Sequence, residues 1–368
     1  MTTTAPLARV NGQTVGSGSY LPKDVTLLMR PMTLAPTDVA EKERLIQSGE
    51  RHYSEMISNE VAPTLTHQSL YAKVLRQNAR RMAEEVQALA LGIEAHFTGP
   101  SIALISFARA GLPLGVLLYR ALENMGHSVR HYGISIIRDK GIDRVALEAV
   151  IEAHGADNIV FVDGWTGKGA VSDELQCSLA GDPRFTGEPP LVVLADPCGK
   201  AWMAASSDDW IIPSGILGGT VSGLISRSIL PQDGGLHGCV VYDHLREFDV
   251  TRNFIEAVDM HRALLETSVP ARPWAPSERA LLQHDALSVV DSMARDLGIT
   301  NLNRIKPGIA EATRAVLRRV PDSVFVRDRE DPDVRLLMHL TERQGVPVEE
   351  VGERIGPYRA LTVIQRAS

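Results

Sequence analysis

The chain has 368 residues, 44% hydrophobic and 23% charged, with a formal net charge of −7 from 38 basic and 45 acidic side chains. This length suits two to three domains with a large core, and the negative balance argues against a protein that coats nucleic acid generically. Three cysteines, odd in number and without CxxC spacing, exclude a disulfide framework or zinc ribbon and suit a reducing cytoplasm.

Residues 1–20 are rich in Thr, Gly and Ser and carry no apolar signal core, so a flexible leader is expected. Residues 36–96 read as helical, with Met82, Val86, Leu89 and Ile93 at helical spacing. Thr37 and Asp38 ahead of Glu41 and Glu43 form a helix start. The part over 21–98 is therefore read as helical and able to hood the core. His52, Tyr53 and Glu55 within it read as a polar contact between domains.

The rhythm then changes. Strands are expected at 102–107, 129–137, 159–162, 191–195 and 210–212, alternating with helices at 114–125, 145–154 and up to 179. Continuous apolar strands between helices predict a parallel sheet covered on both faces, here over 99–268. Ligands bind such sheets at the carboxyl ends of the strands. The most apolar run, 102–119, is interrupted by Arg109, Gly111, Pro113 and Gly115. No membrane span is expected, and the protein reads as cytoplasmic. A Pro-rich linker (269–285) precedes a domain over 286–368, read as helix 312–319, strand 323–326, helix 334–344 and strand 358–364. From 301 onward there are 12 basic and 10 acidic residues, so this tail is mildly basic on an acidic body.

The sharpest local feature is the turn after the third strand, Asp163-Gly164-Trp165-Thr166-Gly167-Lys168-Gly169. Glycines let backbone N–H groups converge on an anion at a helix N-terminus. Thr166 adds a hydroxyl, and Lys168 is one of only seven lysines beside 31 arginines. Asp163 at the strand tip can hold a hydroxyl or a metal-bound water. The Walker A and GxGxxG patterns are absent.

This turn resembles the phosphoribosyl pyrophosphate loop of type I phosphoribosyltransferases, and residues 106–115 resemble that family's pyrophosphate loop. Further segments are His52 to Ser58, Ile134 to Asp143, Ala195-Asp196-Pro197-Cys198-Gly199, Asp208 to Leu217, and Thr220 to Arg227. With them the chain resembles the phosphoribosyltransferase-like proteins of bacterial tellurite-resistance and stress gene clusters, a family also named cysteine protease StiP. Its members end in a Pelota-type RNA-binding domain. The resemblance implies an α/β fold: a type I phosphoribosyltransferase-like parallel core, a helical N-terminal part and a small C-terminal Pelota-like domain. It implies Asp163 and Arg109 in catalysis. It implies Thr166, Gly167, Lys168, Gly169, Ala110 and Gly111 on phosphate and ribose. Gly164 stands where the family has a second acid. In the tail, Arg304, Lys306, Gly308, Glu311 and Arg314 resemble a segment that binds RNA backbone and a base edge.

Asp196, Asp208 and Asp209 are candidates to hold Mg2+ through water. Ser214, Thr220 and Ser222 either line the pocket or cap a following helix at Arg227. Cys177 reads as core, whereas Cys198 follows a strand tip and Cys239 lies near His237 and His244 in sequence. The leading expectation is a phosphoribosyltransferase that uses phosphoribosyl pyrophosphate and Mg2+, ribosylates a base or small nucleophile in a stress response, and binds RNA through its tail. The alternatives are a cysteine protease using Cys198 or Cys239, and a non-catalytic module for ribose phosphate and RNA. A homodimer stays open.

Overall fold

The computed structural model describes residues 13–366 together with Leu7 and Val10. The expected leader thus lies largely outside the described residues. From Val15 onward the chain is anchored: Val15 N–H donates to Met29 O (2.9 Å) and Ser19 N–H to Gly223 O (3.1 Å).

Two short strands, β1 (Thr26–Leu27) and β2 (Arg30–Pro31), lead to helices α1 (Val39–Gln47) and α2 (Leu65–His96). The core continues as β3 (Ile102–Phe107), α3 (Leu112–Asn124), β4 (Val129–Ile134), a hairpin of β5 (Ile136–Ile137) and β6 (Gly141–Ile142), α4 (Arg144–His154) and β7 (Ile159–Val162). It ends with α5 (Ala170–Leu179), β8 (Leu191–Ala195), β9 (Met203–Ser206), β10 (Gly238–Cys239) and α6 (Thr251–Ala263). Six strands form one sheet in the order β1–β4–β3–β7–β8–β9, every neighbouring pair parallel.

Alternation along each strand explains how both faces are covered. Leu104, Val160, Val162, Val192 and Leu194 pack with α2, α3 and α6. Ala103, Ile105, Phe161, Leu191 and Val193 pack with α4 and α5. Each such fully buried large side chain contributes about 1.5–3 kcal/mol. The chain winds outward from β3 to β4, then returns to β7 on the other side of β3. The strand order therefore reverses between β3 and β7, and open parallel sheets place their ligand crevice at such a point.

The fold differs from the sequence reading in three places. The expected helix over 36–96 is broken across 48–64, where Gly49 takes φ +75° and Pro63 precedes the Thr64 cap of α2. The fifth core strand is Met203–Ser206, not 210–212. Ile211 N–H instead donates to Asp333 of the tail (3.1 Å), and Trp210 lies under Arg81. The strand expected over 129–137 stops at Ile134 and resumes as β5.

The Pro-rich segment is pinned to the core edge by Ala271 N–H to Ala88 O (2.8 Å) and a bridge between Met203 and Pro273. Beyond it lie α7 (Pro276–Asp296), β11 (Ile305–Pro307), α8 (Ile309–Arg318), β12 (Pro321–Val326), α9 (Arg335–Gln344), β13 (Val348–Glu350) and β14 (Ala360–Ile364). Their sheet runs β11–β14–β12–β13, with β14 antiparallel to both neighbours and β13 parallel to β12. Ile309, Ala312 and Val316 of α8 and Leu336, Leu337 and Leu340 of α9 belong to the main core cluster, so apolar packing is continuous between the two parts.

Candidate functional site between the core and the C-terminal domain

The loops after β3 and β7 meet at the reversal point. Gly111 opens α3 directly against β7: a Cβ there would stand 2.3 Å from Val162 O. The loop after β7 stays zipped to β8 through Leu194 N–H to Gly164 O (3.1 Å) and Thr166 N–H to Ala195 O (2.9 Å). Gly169 takes φ +85° and leads into α5. Side chains of this loop are thereby aimed across the sheet edge.

The C-terminal domain covers that edge. A Cβ on Gly167 would lie 3.1 Å from Pro307 O and from Glu311 Cγ. Tyr358 Oη donates to Gly167 O (2.9 Å), and Lys168 Nζ donates to Leu302 O (2.6 Å). Arg314 lies over the Trp165 ring at 5.6 Å. The structure thus brings Thr166, Gly167, Lys168, Gly169 and Ala110 together with Lys306, Glu311 and Arg314 around one cavity of ≈ 240 Å³. Gly308 takes φ +91° beside Asp209. Arg304 stands apart, donating to Ile364 O (2.7 Å) and lining a different cavity with Arg44 and Arg366.

Asp163 is 7% exposed and faces this cavity. Burial raises its carboxyl to about 7, against one opposing hydrogen bond from Gly164 N–H (2.8 Å). Arg109 is equally buried and committed elsewhere. Its guanidinium donates to Ile225 O and to Glu60 Oε2, both at 2.6 Å. Burial would raise the Glu60 carboxyl, but Arg109 and Arg318 overcome it and hold it at about 2. Glu60 comes from the extended stretch before α2. Nothing in its sequence neighbourhood marks it, and only the fold brings it to Arg109.

A second cavity of ≈ 340 Å³ shares Arg109 and Arg227 with the first and adds Lys42, His67, Tyr242, Arg318 and Arg343. A narrow gap lined by Arg109, Trp165, Leu217, Gly218, Arg314 and Arg318 shares walls with both. Lys42 and Arg318 were not singled out by the sequence, and Arg227 only as the end of the Thr220 to Arg227 segment and an expected helix start. The one available signal was the four-residue spacing of Arg314 and Arg318, which puts them on one helix face. Thr220 lines the larger cavity, Ser214 and Ser222 line the gap, and no helix begins at Arg227. Tyr53 takes the polar contact expected of its segment, accepting from Arg138 N–H (2.9 Å) beneath the Arg227 guanidinium.

The three aspartates expected to hold Mg2+ are taken up by protein partners. Asp196 accepts from Thr166 Oγ1, Lys200 N–H (3.0 Å), Ala201 N–H (2.8 Å) and Trp274 Nε1 (2.9 Å). Asp208 pairs with Arg81 (3.0 Å) and Arg359 (2.9 Å). Asp209 receives Ile309 N–H with both oxygens (3.0 Å each) and Arg359 N–H (2.8 Å), so a core residue caps α8. Among the described residues no group of three or more His, Cys, Asp or Glu side chains is placed to hold a metal. The expected metal set does not fit these residues.

The cysteines differ sharply. Cys177 is exposed on α5 rather than packed in the core. Cys239 is fully buried, and burial pushes its thiol up to about 12. Its sequence neighbours are engaged elsewhere: His237 Nδ1 bonds Ser135 Oγ (2.7 Å) and His244 Nε2 bonds Glu60 O (2.9 Å). Cys198 follows β8 at the carboxyl edge of the sheet. Its Sγ lies 3.2 Å from Thr166 Oγ1 and 3.7 Å from Asp196 Oδ1. It packs under Val289, Val290 and Met293 of α7, Tyr358 of the loop before β14 and Leu361 of β14. Burial, with Asp196 beside it, raises its thiol well above the ordinary value. Among the described residues no hydrogen bond joins a thiol to an imidazole.

Fold and site together define a two-part α/β protein: a parallel-sheet core whose ligand edge is covered by a small mixed-sheet domain, with a cationic seam between them. The family described as "Tellurite-like stress resistance cysteine protease StiP" matches residues 18–259, and the "PELOTA RNA binding domain" matches 284–366. "Cysteine protease StiP" of Acinetobacter baylyi (strain ATCC 33305 / BD413 / ADP1) is 53% identical over 363 residues, 95% of this chain and 94% of that protein. The chain belongs to the StiP family and carries a Pelota RNA-binding domain at its C-terminus. A crystal structure of the glycine decarboxylase P-protein of the glycine cleavage system, in inhibitor-bound form, aligns over 91% of this chain and 87% of that one. With 14% identity and a TM-score of 0.25, that likeness carries no argument. No helix among the described residues is long and apolar enough to cross a membrane.

These findings correct the leading expectation. The family and the full-length relative bear the name of a cysteine protease, not of a phosphoribosyltransferase. Arg109 is tied to Glu60, the Thr166 hydroxyl to Asp196, and Asp163 keeps its proton close to neutral pH.

Proposed function

We propose that the chain is a cysteine-dependent peptidase with Cys198 as its nucleophile. The observation that carries this reading is the place of Cys198. It is the one thiol at the carboxyl edge of the parallel sheet, with a hydroxyl at 3.2 Å and a carboxylate at 3.7 Å to receive its proton. The near-complete match to a protein named as a cysteine protease supports it. The thiol proton passes to Asp196, directly or through the Thr166 hydroxyl; the thiolate adds to the carbonyl carbon of a peptide bond, the C–N bond breaks as that proton is delivered to the leaving amine, and water then hydrolyses the thioester to free the thiol and release the acid. Asp196 is held for that role by two backbone N–H groups and the Trp274 indole.

In the described arrangement Cys198 is 2% exposed, so substrate reaches it only when α7 and the tail sheet move off the edge. Cleavage of casein by the full chain tests the reading. Cys198→Ala is expected to abolish turnover, and Cys239→Ala to keep it as long as the variant folds. Undiminished cleavage by Cys198→Ala removes the nucleophile assignment. No cleavage by the wild type under any condition that exposes Cys198 leaves a binding protein without turnover.

A further inference from the structure

The larger cavity, of ≈ 340 Å³, opens at a rim that carries the exposed Val61 and Arg343. Five cations line it, Lys42, Arg109, Arg227, Arg318 and Arg343, against one carboxylate, Glu60. Arg109 holds that carboxylate at 2.6 Å, and Arg318 reaches it only at 3.7 Å. Lys42 is buried on α1 and donates to a neutral hydroxyl, Ser58 Oγ. Its neighbour Glu43 is taken by Arg319 through both oxygens, at 2.5 and 2.7 Å. Arg227 gives one nitrogen to the carbonyls of Tyr53 and Met56, but its Nη1 is enclosed without a partner. Burial, then the charges of Arg227, Arg319 and Arg318, lowers Lys42 to about 8 against the opposing pull of Glu43. Like charges gathered in a half-closed cavity are costly unless an anion joins them.

The walls narrow the kind of anion. Phosphate sites draw on backbone N–H groups that converge at glycine turns and helix N-termini. The glycine turn over 163–169 lines the other cavity, Gly219 N–H already donates to Glu60, and the Thr64 hydroxyl caps the α2 N-terminus at the rim (3.2 Å). The charge comes instead from side chains on separate elements: Lys42 on α1, Arg227 in the loop after β9, Arg318 on α8 and Arg343 on α9. Cations set around a volume in this way match several carboxylates on one molecule, not one compact head. Between them stand Ile57, Leu217, Leu317 and Leu340, a surface for a short carbon skeleton. The volume falls within the usual span of small-molecule sites, about 300–1,000 Å³. Lys42 and Arg227 belong to the core and Arg318 and Arg343 to the tail, so a molecule held here touches both parts.

We infer that this cavity binds a small organic polycarboxylate, its carboxylates on Lys42, Arg227 and Arg318, and that the bound acid holds the C-terminal domain on the core. The site does not depend on the peptidase reading. A ligand that meets both parts only when they are docked stabilises the docked arrangement by mass action. That arrangement is the one that covers Cys198.

Isothermal titration calorimetry on the full chain, at constant ionic strength, compares citrate, succinate, butyrate and inorganic phosphate. Citrate and succinate are expected to bind at one site per chain, with butyrate at least tenfold weaker and phosphate weaker than either. Lys42→Met and Arg318→Ala are each expected to weaken citrate about tenfold, the loss of one charged contact. Arg304→Ala, in a different cavity, is expected to bind as wild type. Lys42→Met removes a buried charge that no carboxylate pairs closely, so its thermal melt is expected to match wild type and to separate lost binding from lost fold. No heat from citrate or succinate, or wild-type affinity in both variants, overturns the site. Phosphate binding more tightly than the polycarboxylates overturns the assignment of the ligand. Citrate at ten times its Kd is expected to slow alkylation of Cys198 about tenfold and to leave the exposed Cys177 unchanged. An unchanged rate at Cys198 overturns the coupling to the cover.

Discussion

At the scale of single residues, Asp163 shows how the fold changes a side chain that the sequence presents as an ordinary strand-end acid. The native carboxyl titrates at about 7 because it is buried, whereas an unfolded aspartate titrates near the ordinary 3.8. Between those values the native state holds more protons than the unfolded state. Its contribution to stability is therefore full at low pH and is lost as pH rises toward 7. Asp163→Asn removes this pH dependence and keeps an acceptor for Gly164 N–H. Thermal melts from pH 5 to pH 8 should show wild type losing stability relative to Asp163→Asn as pH rises. Parallel curves for the two proteins would show that Asp163 is ionised throughout. The residue types of the site were legible from Asp163 to Gly169 and from Arg304 to Arg314, because glycines and scarce lysines stand out in a chain rich in arginine. Glu60 and Arg227 were not, since an acid before Pro63 and an arginine after a Ser- and Gly-rich run look like solvated surface.

At the scale of elements, close approach decides. Gly111 lets the first turn of α3 touch Val162 O, and a methyl there must displace backbone on one side or the other. Gly111→Ala is expected to lower unfolding free energy by about 1–3 kcal/mol in urea titration, the cost of overpacking. No change would mean the two loops are not held together as described. Asp209 caps α8 from the opposite domain, and Asp209→Ala should cost about 1–2 kcal/mol. The same variant should raise the alkylation rate of Cys198, located by peptide mass spectrometry, because α8 and Arg359 lose their anchor. An unchanged rate would separate the cap from the cover over the thiol. Strands β3, β7 and β8 were legible because burial on both faces makes them continuously apolar. The last core strand was not, because Trp210-Ile211-Ile212 is more apolar than Met203–Ser206, and only the pairing with Val192 and Val193 selects the latter. The helical pattern over 36–96 concealed the extended stretch that carries Glu60.

At the scale of the whole molecule, the RNA-binding domain is a wall of the site rather than an appendage. The net charge of −7 hides a seam where cations face one another, and the apolar core runs through both parts. Sequence reading located the two chemical segments separately, in the loop after β7 and in the tail. It could not place them against each other, because that contact rests on packing between residues more than a hundred positions apart. The docked tail also places Cys198 beneath α7, so the thiol and the cationic seam both lie under the C-terminal domain. Any movement that opens one bears on the other. Peptidase chemistry at Cys198 is the central claim, and covalent trapping tests it most directly. The full chain is incubated, under the conditions in which it cleaves casein and Cys198 is therefore uncovered, with a peptidyl acyloxymethyl ketone, an electrophile directed at nucleophilic thiols, and the adduct is located by peptide mass spectrometry. The adduct is expected on Cys198, with none on Cys198→Ala; labelling only at the exposed Cys177, with Cys198 unmodified, would contradict the assignment.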